Sequence, residues 1–247
     1  MIDLLIGCIA GIFIGATGIG AGSILTPLLI LRGHDPLTAV TTGLIALIVA
    51  RSVGSLQHVI SGHWPAKHGA RILILGVVGA CFGFLLVRSF ASQPRSFETA
   101  LRVTLGVVLL LVGLAGFLSS RFSLRVSSER RSTALMTAAA LGTGAAVAST
   151  SAGSGTLLGA FVFPVTNWRV REFSAVSNVF GLLTGLIGIA AYSQFDRFDP
   201  RLLAFVTAGS VAGIVLGVFI SRRIGRDHFS LALRIVTIAL GLGLIIK

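Results

Sequence analysis

Apolar and polar positions divide the chain into eight apolar stretches separated by short polar breaks, at about 3–31, 37–60, 70–90, 99–118, 134–164, 174–195, 202–221 and 229–246. A hydrocarbon core about 30 Å thick takes roughly 20 apolar residues per helical crossing, and six of the stretches have close to that length. The first and fifth differ: each is about 30 residues long and is interrupted in its middle. The interruptions are Gly15-Ala16-Thr17-Gly18-Ile19-Gly20-Ala21-Gly22-Ser23 and Ser149-Thr150-Ser151-Ala152-Gly153-Ser154-Gly155. Gly, Ser and Thr at this density make a poor continuous helix. Each flanking piece, about 11–15 residues, is expected to be too short to cross alone. The pattern predicts an all-α polytopic membrane protein.

The stretches repeat. Gly20-Ala21-Gly22-Ser23-Ile24-Leu25 matches Gly153-Ser154-Gly155-Thr156-Leu157-Leu158 at an offset of 133. Thr38-Ala39-Val40-Thr41-Thr42 matches Ser174-Ala175-Val176-Ser177-Asn178 at 136. Gly79, Gly83 and Arg88 match Gly213, Gly217 and Arg222 at 134, and Phe97, Ala100, Leu101 and Arg102 match Phe229, Ala232, Leu233 and Arg234 at 132. Four blocks in one order predict an N-terminal repeat over 1–120, a basic linker over 121–132 and a C-terminal repeat over 133–247. Each repeat then holds one broken or re-entrant helical hairpin and three transmembrane helices.

Composition agrees with the pattern and narrows it. Of 247 residues, 54% are hydrophobic and 11% charged, against about a quarter charged in soluble chains, and the mean hydropathy is +0.96. A soluble domain, a disordered chain and a disulfide scaffold are excluded. The net charge of +12 invites a nucleic-acid reading, but the basic residues fall in short breaks such as Arg121 to Arg131, where they orient membrane helices. With Arg51 set aside, the other 19 basic residues divide 9 to 10 if all eight stretches cross, and 12 to 7 if the first and fifth are re-entrant. The asymmetry favours re-entrance. Three crossings per repeat is an odd number, so the repeats are expected to be inverted, with the linker cytoplasmic and both termini facing away from the cytoplasm.

Candidate chemistry sits at the breaks. Non-helical backbone within a membrane is tolerated only inside protein or along a cavity, and inverted breaks at one depth are how transporters build midplane sites. Gly20, Gly22 and Ser23, with Gly153, Gly155 and Thr156, would offer backbone N–H groups and hydroxyls to an anion. Arg51, well inside its stretch, either attracts or gates an anion or snorkels to the interface; its repeat counterpart is Ile187. Thr41 and Thr42, with Ser177 and Asn178, either line the site or hydrogen-bond neighbouring helices. All eight acidic residues lie at element ends or in loops, which favours an anionic substrate. Cys8 and Cys81 form no metal or redox motif and are read as packing residues. No cofactor or metal is expected. Gly79, Gly83, Gly213 and Gly217 are read as helix-packing faces, and small-residue faces leave a homodimer open.

Gly18-x-Gly20-x-Gly22-x-x-x-x-Pro27 followed by Thr38-Ala39-Val40-Thr41-Thr42 resembles the repeated signature of the TauE/SafE sulfite exporter family. Gly153-x-Gly155-Thr156 with Ser174-Ala175-Val176-Ser177-Asn178 is similar to its second copy. There are departures: Ala160 stands opposite Pro27, and Ser151 replaces the first glycine. The resemblance implies an inner-membrane exporter of small sulfur-containing anions such as sulfite or sulfonates. Two other classes compete with a transporter. An intramembrane serine-type enzyme would use Ser154, but no later span carries an interior histidine to activate it. A scaffold or assembly factor would need larger loops than these.

Overall fold

The computed structural model describes the backbone of residues 1–17, 22–60, 66–90, 94–121, 129–162, 168, 170–223 and 226–246. The described residues form ten α-helices and one 3-10 turn, with no strand among them. In chain order these are α1 (Ile2–Thr17), α2 (Gly22–Arg32), α3 (Pro36–Ile60), α4 (Ala66–Ser89), α5 (Pro94–Arg121), α6 (Glu129–Thr150), α7 (Thr156–Val162), α8 (Val170–Tyr192), α9 (Pro200–Arg223) and α10 (Arg226–Ile246). The first and fifth stretches each become two helices, α1 with α2 and α6 with α7, parted where the Gly/Ser runs fall.

Local chemistry explains the boundaries. Pro36 and Pro200 open α3 and α9, where a missing N–H costs nothing. Asp35 caps α3 by accepting from the Leu37 and Thr38 amides at 3.1 and 2.9 Å, and Asp199 caps α9 through the Arg201 and Leu202 amides. At the end of α2, Gly33 takes φ +107°, with His34 N donating to Leu29 O and Gly33 N to Ile30 O. This glycine-terminated pairing closes off the last carbonyls of a helix.

Among the described residues, five helical segments are long and apolar enough to cross a membrane: Gly69–Ser89, Ser96–Leu114, Thr133–Thr150, Glu172–Phe195 and Pro200–Gly217. One of these corrects the sequence reading. The piece before the second break is not a short arm, because α6 runs 22 residues back into the polar linker. Its alanines, the best helix formers, carry the helix through a stretch of low hydropathy. Large apolar side chains on α4 and α9, such as Phe82, Leu85, Val215 and Phe219, face outward, as lipid contact requires. Cys81 is also exposed, so it is not the interior packing residue expected.

Glycines set the closest helix pairs. α1 lies along α9, and α6 lies along α4. A Cβ on Gly79 would stand 2.1 Å from the Leu141 carbonyl oxygen, and one on Gly213 2.1 Å from that of Cys8. Gly83 meets Ala145 and Gly217 meets Ile12 in the same manner, at 2.7 and 2.2 Å. Any side chain at these four positions would force backbones apart, so the packing reading of these glycines holds. The contacts lie within one chain, which removes these faces as a dimer surface.

The first stretch turns back on itself. Asp3, in the first turn of α1, pairs with Arg32 in the last turn of α2, and His34 Nε2 lies 3.1 Å from the same carboxylate oxygen. Had α1 and α2 continued in one direction, about 1.5 Å of rise per residue would have put Asp3 and Arg32 some 40 Å apart. Burial, and next the Arg32 charge, hold His34 below the ordinary imidazole pKa. The fifth stretch folds back likewise: Met136 and Ala140 of α6 share one apolar cluster with Leu158 and Val162 of α7.

Candidate functional site

The second break is held by its own polar side chains. Thr150 and Ser149, in the last turn of α6, donate to the Ala146 and Ala145 carbonyls at 2.7 and 2.8 Å. The buried Tyr192 hydroxyl donates to the carbonyl of Ser149, one of the helix-end acceptors that a break leaves over. Beyond α6 the chain reverses through Ser151 at φ +62° and Gly153 at φ +102°. A left-handed conformation at a non-glycine residue costs about 1 kcal/mol. Ser151 occupies the position that Gly18 holds in the first copy.

The start of α2 is built against this break. A Cβ on Gly22 would stand 1.8 Å from the Ser151 carbonyl oxygen. Gly153 N donates to Ser23 Oγ at 3.2 Å, and Thr26 Oγ1 shares a 2.7 Å hydrogen bond with Ser151 Oγ. Gly43 of α3 closes over the pair, where a Cβ would come within 2.2 Å of Thr26 Oγ1. The expectation that the two broken stretches meet is therefore met at Gly22, Ser23 and Gly153. Gly20 and the rest of 18–21 lie outside the described residues.

Arg51 reaches the other side of the same break. Only 4% of it is exposed. Nη1 donates to Asn178 Oδ1 at 2.6 Å and to Ser177 Oγ at 3.5 Å, and Nη2 donates to Ser154 Oγ at 3.1 Å. Ser177 Oγ in turn donates to the Ser154 carbonyl at 3.3 Å. Gly181 of α8 makes room for the guanidinium: a Cβ there would lie 3.2 Å from Arg51 Nε and 3.4 Å from Ser154 Cβ. The side chain crosses to α8 and does not snorkel. Each of these partners is neutral. Among the described residues no carboxylate lies within ion-pairing distance. A buried cation without a counter-ion is expensive and marks a place where a negative charge is welcome.

Of the other expected residues, Gly155 is buried in the turn that leads to α7. The Thr42 and Thr156 hydroxyls are buried with no hydrogen-bond partner. Thr41 bonds its own helix at the Leu37 carbonyl, 2.8 Å away, and stands apart from the Arg51 network. The sequence reading did not foresee Ser154 as a partner of Arg51, nor Thr26, Gly181 or Ser55. Ser55 lies one turn beyond Arg51, buried, with an unpartnered hydroxyl. A signal for Ser154 existed: the second copy has a hydroxyl where the first has Ala21. No group of three or more metal-ligating side chains occurs among the described residues.

An all-helical fold with five segments, among the described residues, long and apolar enough to cross a membrane, and with two chain breaks packed together beside a buried cation, is that of a multi-pass membrane protein. The chain belongs to the sulfite exporter TauE/SafE family, whose model matches residues 4–244. It is 26% identical over 258 residues, covering 98% of each chain, to a protein of Bacillus subtilis (strain 168) named probable membrane transporter protein YjnA. No solved structure matches it. Both names point to a transporter rather than an enzyme, and a protein of this kind meets the lipid bilayer and a small substrate.

Proposed function

We propose that this chain exports a small anion, of the sulfite, sulfonate or related oxyanion class, across a bacterial inner membrane, and that the anion binds where the two breaks meet. One observation carries the reading: among the described residues the buried guanidinium of Arg51 has only Ser154, Ser177 and Asn178 as partners, so its charge is left for a ligand. Gly22 and Gly153 shape the backbone of the junction, and Ser23 ties its two halves together.

The proposal includes the topology. Leu37 of α3, Val87 of α4, Phe97 of α5 and Tyr192 of α8 share one cluster. Ile72, Met136, Val162 and Phe173 share another. The second grouping sets the base of the α6–α7 hairpin beside the starts of α4 and α8, the first sets the start of α3 beside the far ends of α4 and α8, and α2 ends four residues before that start. Repeats over 1–120 and 133–247 that are inverted about the membrane plane account for this, with the basic linker 121–132 on the cytoplasmic side.

The test is flux in proteoliposomes: counterflow with sulfite, thiosulfate, sulfate, sulfonates and carboxylates, with and without an imposed pH gradient. Anion flux that Arg51→Ala and Gly153→Leu abolish, in protein that still inserts, supports the reading. Wild-type flux from both variants overturns the site.

A further inference from the structure

Resting on that reading, we infer that the site selects by ionic charge, taking a singly charged anion and rejecting a doubly charged one of the same shape. Among the described residues the site holds one formal charge. Arg51 is buried, and it is hydrogen-bonded to a serine hydroxyl of the break and to Ser177 and Asn178 of α8, none of which ionises. Every other basic residue lies near an element end or in a loop of the sequence, and among the described residues none is hydrogen-bonded into this network.

A monoanion placed against Arg51 leaves the junction neutral. A dianion leaves one negative charge unbalanced in a low-dielectric interior, after losing a hydration shell whose strength rises steeply with charge.

The hydrogen-bonding pattern points the same way. A guanidinium only donates, so it turns its neighbours into acceptors toward itself. Asn178 gives its carbonyl oxygen to Arg51, which leaves its NH2 group to donate elsewhere. Ser154 accepts from Nη2, which leaves its own O–H free. Ser55, on the face of α3 that carries Arg51, is buried with an unpartnered hydroxyl. Gly181, which carries no side chain, lets Arg51 and Ser154 pack directly against α8 beside these donors, where a Cβ would lie 3.2 Å from Arg51 Nε. They are neutral dipoles, able to orient the oxygens of an anion without supplying the second positive charge that a dianion needs.

Methanesulfonate and sulfate make the test, since both are tetrahedral at sulfur and differ in charge. Purified protein in detergent is titrated with each sodium salt at matched ionic strength, followed by thermal stabilisation and calorimetry, and counterflow of the two is compared in proteoliposomes. The inference predicts that methanesulfonate binds at least about tenfold more tightly than sulfate, and that Asn178→Asp, which neutralises Arg51, removes its binding. Equal binding, or tighter binding of sulfate, with loss of both in Asn178→Asp overturns the charge selection and leaves the anion site standing. Binding of either anion that Asn178→Asp does not alter, or no binding of any anion, overturns the site as well.

Discussion

Asn178 holds its side-chain oxygen 2.6 Å from Arg51 Nη1, across the contact between α8 and α3. The two residues belong to opposite halves of the chain, so this polar contact exists only when the halves are assembled. The same contact fixes the amide orientation, because a guanidinium has no lone pair to offer.

Among the described glycines of the junction Gly22 is the most tightly packed, since a Cβ would lie 1.8 Å from the Ser151 carbonyl oxygen. Gly22→Val is expected to push the breaks apart, to destabilise by about 1–3 kcal/mol and to abolish flux. Flux at the wild-type level, measured against inserted protein, would show that the junction is not the path.

Gly213 separates packing from function. Its Cβ would meet the Cys8 carbonyl at 2.1 Å, between α9 and α1 and away from Arg51. Gly213→Ala should lower stability by about 1–3 kcal/mol and leave the apparent affinity for substrate unchanged. Thermal denaturation in detergent together with a flux KM reads both.

Tyr192→Phe removes the hydroxyl that donates to Ser149 at the end of α6. The buried carbonyl then loses a partner, at a cost of about 1–3 kcal/mol. Thermal denaturation is expected to show that loss, and an unchanged melting curve would mean that the acceptor is satisfied otherwise.

His34 makes hairpin stability depend on pH. Desolvation by burial, and then Arg32, lower its pKa from 6.5 against smaller opposing effects of Asp199 and Asp35. A lowered value means that the folded chain takes up the proton less readily than the unfolded chain. Its contribution is therefore complete above pH 6.5 and is lost as pH falls through the lowered pKa. His34→Gln should flatten that decline in a pH series of melting temperatures. An unchanged slope would place the titration on another group.

The basic linker provides a topological test. After replacement of Cys8 and Cys81 by Ala, a single cysteine at Ser127 should be labelled only from the cytoplasmic side. Labelling from outside would contradict the inverted arrangement.

Much of this was legible because it depends on local chemistry. The Gly/Ser-rich runs are poor continuous helix, and α1 with α2 and α6 with α7 are separate helices on either side of them; Gly79 with Gly213 marks helix contact in both copies. Arg51 stood out because an arginine within an apolar stretch needs an explanation. Its partners were not legible. Ser154 and Gly181 matter only because of how α8 and the second break approach α3, and composition does not encode that approach. Asp3 and Arg32 look like two unrelated helix-end charges until the hairpin folds back and joins them. The length of α6 was underestimated because its hydropathy is low while its alanine content favours helix.

Asn178→Asp tests the central claim most directly. It changes one atom type, keeps the volume and retains an acceptor for Arg51, but sets a negative charge 2.6 Å from Nη1. If the unpaired charge of Arg51 attracts the substrate, anion flux in proteoliposomes falls by at least about tenfold, or ~1.4 kcal/mol, while the melting temperature stays the same or rises. Wild-type flux from Asn178→Asp would contradict the account.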